Sequence, residues 1–254
     1  AQEAFMEQYH VLETHPQLRL PGRYPAKNKA FDPKSFLDSE LAYLRVMSEG
    51  MAGMVHANDV KIAERLMPRT TLPADPIEAR AAWERTFNAA VVKWHRSKKH
   101  LIPDLNQVEA DGRTEPMVYC FPHVFILPMY SSASAYRFRP LGPEETLMEI
   151  WSLTRFPEGA ELPKLPAPQP WAHDDPRVPP IPTQDFSNLP KQQLGLHSRS
   201  FEYMRLSGQI EGHLSNFHRT IDGYLHGIAS KKLLRAHREL NINPLERPVV
   251  NLGI

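Results

Sequence analysis

The stretch "MVYCFPHVFILPMYSSASAYRFRP", residues 117–140, decides the fold class. It is crowded with aromatic and β-branched side chains, and Tyr136 and Phe138 alternate with Arg137 and Arg139. A period of two puts the aromatics on one face and the arginines on the other, as in a strand with one face buried. "RPLGPEET" (139–146) is a turn by its proline and glycine content, and "TLMEIWSLTRF" (146–156) reads as the returning strand. The region predicts an antiparallel meander whose apolar face needs a cover.

Helical patterns on either side supply that cover. Residues 36–50, "FLDSELAYLRVMSEG", read as a helix. In "DPIEARAAWERTFNAAVVKWHRSKKH" (75–100), Asp75 is a cap, Pro76 fits the first helical position and Glu78 the capping-box position. Ile77, Trp83, Phe87, Val91 and Trp94 then share one broad apolar face. A last helix is capped by Ser207 and carries Ile210, Leu214, Phe217, Ile221, Leu225 and Ile228 at three- and four-residue spacing. Its natural partner is the face of the sheet, so the class is α+β. Trp94, Trp151 and Trp171 read as core or loop anchors, and His213 and His218 on the last helix as surface or packing residues.

The totals close off several functions. A formal net charge of +1 with no basic block argues against electrostatically driven nucleic-acid binding. No apolar run is long enough to cross a bilayer, and the N-terminus lacks the regions of a signal peptide. With Cys120 as the one cysteine, a disulfide framework, a zinc finger and a cysteine-held iron–sulfur cluster are all impossible within these residues. One cysteine beside 12 histidines suits a reducing, cytoplasmic setting, where a metal is held by His and carboxylate. Many of the 25 prolines fall between Phe156 and Thr183, which predicts neither helix nor central strand there. That span reads as a linker or, preferably, as a long ordered loop over a site, because the chain after it is too short for an obvious second core.

The N-terminal segment carries the candidate chemistry. "AQEAFMEQYH" (1–10) opens in helical register, with Ala1, Phe5 and Tyr9 four apart and no cap before them. It begins as if already inside a helix, which suggests a piece cut from a longer protein. His10 and His15 are five apart, so on an ideal helix they diverge by about 140°. They can converge only if the helix ends near His10, and the β-branched Val11, Thr14 and Pro16 permit this. On spacing alone, unrelated histidines remain the ordinary reading.

The surrounding pattern resembles a known family. "EAFMEQYHVLETHP" (3–16) is similar to the iron-binding segment of Rieske non-haem iron oxygenases, the ring-hydroxylating α subunits: an acid, then Tyr-His, then a second His. Glu7, Tyr9, His10 and His15 stand in those places. "FPHVFILP" (121–128) through "RPLGPEETLMEIWSL" (139–153), "QDFSNLPKQQLGLHS" (184–198) and "HLSNFHRTIDGYL" (213–225) resemble three further segments, in the family's order. The resemblance implies a helix-grip fold, START-like, with a curved antiparallel sheet around a long C-terminal helix. It implies Asp185 as third ligand beside His10 and His15, giving a facial triad suited to Fe(II) with open positions for O2. Nothing local marks Asp185 above the other acids.

Further expectations follow from the same resemblance. Residues 1–254 would be a single catalytic domain, with residues 156–183 a loop within it. The family's N-terminal Rieske [2Fe–2S] domain needs cysteines these residues do not have. Electrons would come from NAD(P)H through a reductase and a ferredoxin to a cluster on a neighbouring subunit of a homotrimer, with or without a β subunit. Glu7, where most ring-hydroxylating members carry Asp, would bridge His10 to that cluster. The implied substrate is apolar, of the aromatic class, undergoing dihydroxylation, monooxygenation or demethylation. Val11, Phe121, His123 and Ile181 are the implied pocket residues, Phe121 and His123 from the central strand. The alternative from another class is a metal-free helix-grip carrier of an apolar small molecule.

Overall fold

The computed structural model describes residues 2–7, 9–23, 30–114, 117–165 and 167–240. Its sheet is the meander: β1 (Val118–Cys120), β2 (Val124–Pro128), β3 (Ser132–Gly142) and β4 (Glu145–Thr154), antiparallel in the order β1-β2-β3-β4. Phe125 pairs with Tyr136, and Tyr136 with Ile150. The alternation works as predicted: Tyr136 and Phe138 are buried while Arg137 and Arg139 stand on the open face, both paired with Glu149.

Two layers cover the buried face. Phe5, in a 3-10 turn spanning Gln2–Phe5, lies with its ring 4.0 Å from that of Phe125 and 5.3 Å from that of Tyr136. Helix α7 (Gly212–Leu225) lays Phe217 against Tyr119 and Phe121. A helical layer packs beside them: α2 (Pro33–Glu49), α3 (Ala57–Leu66), α4 (Pro76–Ser97) and α5 (Leu105–Ala110). Asp75 caps α4 by accepting the N–H groups of Ile77 and Glu78, as the sequence predicts. Trp83 and Phe87 stack within α4, and Phe87 meets Tyr130, which follows β2. Each such buried aromatic contributes roughly 1.5–3 kcal/mol of transfer free energy. The fold is α+β, an antiparallel sheet gripped by helices, in keeping with the helix-grip class.

Several expectations are corrected. Ile77, in the first turn of α4, is 79% exposed, and the buried face of the helix begins at Ala79 and Trp83. Ser207 does not cap the last helix. Its N–H is taken by the Glu211 carboxylate four residues on, a turn intervenes, and α7 starts at Gly212. Ile210 and Leu225 are accordingly exposed, and Ile228 lies beyond the helix, after Gly227 turns the chain at φ +71°. The opening segment is one 3-10 turn rather than a helix running to Tyr9. The proline-rich span is irregular only as far as Pro179, because α6 (Pro180–Leu196) opens with Pro180 and Pro182 in its first turn, where missing N–H groups cost nothing. Phe121 and His123 form the tight turn between β1 and β2, around a cis Phe121–Pro122 bond, and not a central strand. Trp151 and Trp171 stand at the surface beneath Arg137 and Arg177 instead of anchoring a core. A further helix, α8 (Ser230–Leu240), buries Leu233 over Gly223 of α7, a partnership the sequence reading did not include.

Candidate metal centre

Among the described residues, two groups bring two imidazoles and a carboxylate close enough to share an ion: His10, His15 and Asp185, and His56, Asp59 and His95. The first joins the N-terminal segment to α6. His10 is the N-cap residue of a single turn, α1 (Val11–Thr14), and His15 ends it. His15 leaves the helical region at φ −117° and ψ 75°, the departure that Pro16 favours. The sequence expectation had a helix ending near His10. Here the helical turn begins there, and the exit at His15 brings the two rings to 5.6 Å, nearly perpendicular. Asp185 comes from the second turn of α6, whose first turn is fixed by buried Ile181 and its N–H bond to the Gly50 carbonyl.

Distances suit one ion. Asp185 Oδ1 lies 3.2 Å from His15 Nε2 and 3.8 Å from His10 Nε2. Adjacent donors around an octahedral ion stand about 3 Å apart when each is roughly 2.1 Å from it. The remaining ring nitrogens fix the tautomers. His10 Nδ1 lies 2.5 Å from Glu7 Oε1, and the other Glu7 oxygen takes the His10 backbone N–H at 3.1 Å. His15 Nδ1 lies 2.8 Å from Gln184 Oε1, and Gln184 is itself held by two hydrogen bonds with Gln17. Both partners offer acceptor oxygens, so in a neutral ring each Nδ1 carries the proton and each Nε2 lone pair is free for a metal beside Asp185. Burial pulls the His15 pKa down, but the hydrogen bonds its charged ring gives to Asp185 and Gln184 outweigh it and leave it raised.

The second group fails the same test. His56 Nδ1 accepts the Asn58 N–H at 3.1 Å as the cap of α3. In a neutral ring the proton then sits on Nε2, and no lone pair remains for a metal. Asp59 is satisfied by hydrogen: Ser131 Oγ at 2.5 Å and His95 Nε2 at 2.9 Å. The donor set of the first group fits a mononuclear metal of the imidazole–carboxylate kind, and that of the second does not.

The other candidate residues fall at different removes. Glu7 is not an exposed helix acid: its side chain is 8% exposed and turned onto His10. Tyr9 is 56% exposed and gives its hydroxyl to Glu211 Oε1 at 2.7 Å, which raises its pKa. Val11 is half-buried against the core and Ile181 buried one turn before Asp185. Phe121 stacks on Tyr224 and meets Phe217, so it faces α7. His123 lies near the Glu149 end of the sheet. Two residues of the site escaped the sequence reading. Gln184 precedes the candidate ligand, yet a glutamine has no charge or spacing to mark it. Tyr136 was read only as a strand residue. Its buried phenol feels the Asp185 charge, and its pKa is pushed up to about 12, chiefly by burial.

No curated protein and no solved structure matches this chain. A family profile does, described as the ring hydroxylating alpha subunit (catalytic domain), over residues 1–227. That span contains the sheet, both histidines, Asp185 and α7. The chain belongs to the family of ring-hydroxylating α-subunit catalytic domains, and with it to the oxidoreductases.

Proposed function

We propose that His10, His15 and Asp185 hold a mononuclear ferrous ion at which an apolar, aromatic substrate is hydroxylated. The observation that carries this is the matched geometry: Glu7 and Gln184 each present an oxygen to an Nδ1, and both Nε2 atoms face one Asp185 carboxylate oxygen. When bound, ferrous iron supplies dioxygen activation. The protein's part is to hold three ligands on one face and leave the opposite positions open. Glu7 keeps His10 oriented and is the acid through which His10 would connect to a Rieske cluster on a neighbouring subunit. The substrate lies beside α6 and α1, with Val11 and Ile181 as candidate walls.

On this reading residues 1–254 act as the catalytic domain of a longer, cytoplasmic α subunit in a trimer, with electrons from NAD(P)H by way of a reductase and ferredoxin. Phe121 and His123, turned toward α7 and the Glu149 end of the sheet, are the weaker pocket candidates. No described helix is long and apolar enough to cross a membrane.

The test is iron stoichiometry after anaerobic reconstitution with Fe(II). Near one iron per chain is expected in the wild type and in His56→Gln. Iron should fall at least about tenfold in His10→Ala, His15→Ala and Asp185→Ala. Iron retained in Asp185→Ala would refute the third ligand. A folded wild type that binds no iron would favour the carrier of an apolar small molecule instead.

A further inference from the structure

The second imidazole–carboxylate group runs outward from the core. Asp59 Oδ1 meets His95 Nε2 at 2.9 Å, and His95 Nδ1 meets His100 Nδ1 at 2.9 Å. Asp59 and His95 are buried, 0% and 1% exposed. His100 reaches the wall of an open cleft of about 650 Å³, with Arg96, Lys99, Leu101, Ile102 and Arg155. Its Nδ1 is engaged by His95, so Nε2 is the nitrogen left for the cleft. Among the described residues no carboxylate lines this cleft.

The cationic wall is built rather than scattered. Lys99 sits at φ +63°, just past the end of α4, where glycine is the common choice. A lysine held in that region is strained, and it sets an ammonium on the cleft wall. Arg155 donates to the Leu101 carbonyl at 2.7 Å, which ties the chain after β4 to this wall. Arg96 reaches the Ile102 carbonyl only at 3.4 Å, too long for a strong bond. Each guanidinium keeps further N–H groups for a ligand, since five are available on each. Leu101 is 58% exposed and Ile102 lies beside it, so the cationic cleft has an apolar part.

We propose that this cleft binds a small organic carboxylate, with the headgroup between Arg96 and Arg155, the apolar body on Leu101 and Ile102, and one solvent proton taken up at His100 Nε2. The groups around His100 are His95, Arg96 and Lys99 from α4 and its end, His56 and Asp59 from the start of α3, and Arg155 after β4. Burial, then the charges of His95 and His56, hold the His100 pKa below its ordinary value. An arriving anion reverses that balance, because it favours the charged ring. Protonated His100 then donates Nδ1–H to His95 and Nε2–H to the carboxylate, so binding consumes one proton. No residue of the cleft belongs to the metal centre, and the proposal does not depend on iron.

The test is calorimetric titration of the full chain with benzoate, and with acetate for comparison, between about pH 7.5 and 5.5, the range in which an imidazole near its ordinary pKa changes charge. Saturable benzoate binding, at least about tenfold tighter than acetate and strengthening as pH falls, is expected. Arg96→Ala and Arg155→Ala should each weaken it roughly tenfold or more, as loss of a charge-assisted pair does. Arg96→Lys should weaken it less, and His100→Gln should flatten the pH dependence. The urea denaturation midpoint of each variant reports that it is folded. No saturable binding, or binding indifferent to both arginine changes in folded protein, would overturn the site. Equal affinity for acetate would overturn the apolar contact, and an unchanged pH slope in His100→Gln would overturn the proton uptake.

Discussion

Gln184 does for His15 what Glu7 does for His10. Each accepts an Nδ1 proton and fixes a ring that would otherwise choose between two tautomers. The residue-scale prediction separates acceptor from charge. Gln184→Leu should weaken ferrous iron binding by about 10–100-fold without unfolding the chain, while Gln184→Glu keeps the acceptor and should lose less. Glu7→Gln should likewise be milder than Glu7→Ala, since an amide oxygen still accepts from His10. Anaerobic iron titration of the four variants reads this directly. Equal losses in Gln184→Leu and Gln184→Glu would mean that the hydrogen bond is not what orients His15. None of this was visible in the sequence at Gln184, because an amide acquires its role from the imidazole placed opposite it.

At the scale of elements, α4 shows where a periodic pattern succeeds and where it stops. Phe87 is fully buried, stacked on Trp83 and set edge-on to Tyr130, so Phe87→Ala should cost about 3–5 kcal/mol. Ile77, on the same predicted stripe, is 79% exposed, and Ile77→Ala should stay within about 0.5 kcal/mol of wild type. Urea denaturation midpoints at constant m-value would show the contrast. The segment before His10 is strapped to α7 by a 2.6 Å contact between His218 Nε2 and Glu3 Oε1. Its hydrogen bond to Glu3 raises the His218 pKa above 6.5, and the bond to His218 lowers that of Glu3 below 4.5. The imidazole contribution is complete below 6.5 and fades as pH rises through the raised value. The carboxylate contribution is complete above 4.5 and fades as pH falls through the lowered one. The strap is therefore strongest between about pH 4.5 and 6.5. Both side chains are about 40% exposed, so the gain is at most about 1 kcal/mol. His218→Gln should lose that much stability near pH 5.5 and little near pH 8.5 in the same denaturation assay. An equal loss at both values would mean that packing rather than charge holds the strap.

The whole molecule brings residues 10 and 185 together by packing the segment after His15 and the start of α6 against α2. The chain leaving His15 crosses α2 at Gly22, where an added Cβ would lie 2.1 Å from the Ser35 carbonyl oxygen, and the Gly22 N–H bonds to Ser39 Oγ at 2.9 Å. At the far end of α2, Gly50 accepts the N–H of Ile181 and so fixes the start of α6. Gly22→Ala should lower stability by about 1–3 kcal/mol. It should also weaken iron binding, because the displaced segment carries His15. A midpoint shift with unchanged iron affinity would show that the crossing serves stability alone.

The sequence by itself determined the meander, the N-terminal cap of α4 and, through ordered motifs along the chain, the family. Those features are local: periodicity in a strand, a carboxylate before a proline, short runs of residues in fixed order. The local pattern also permitted His10 and His15 to converge, since Pro16 disfavours helical backbone at His15. Only the tertiary structure decided that Asp185 faces both imidazoles. It alone distinguished two chemically similar groups, because their tautomers depend on Glu7, Gln184 and the Asn58 N–H. A proton's position on an imidazole is set by what lies across from it in space, and that neighbour can be 169 residues away along the chain.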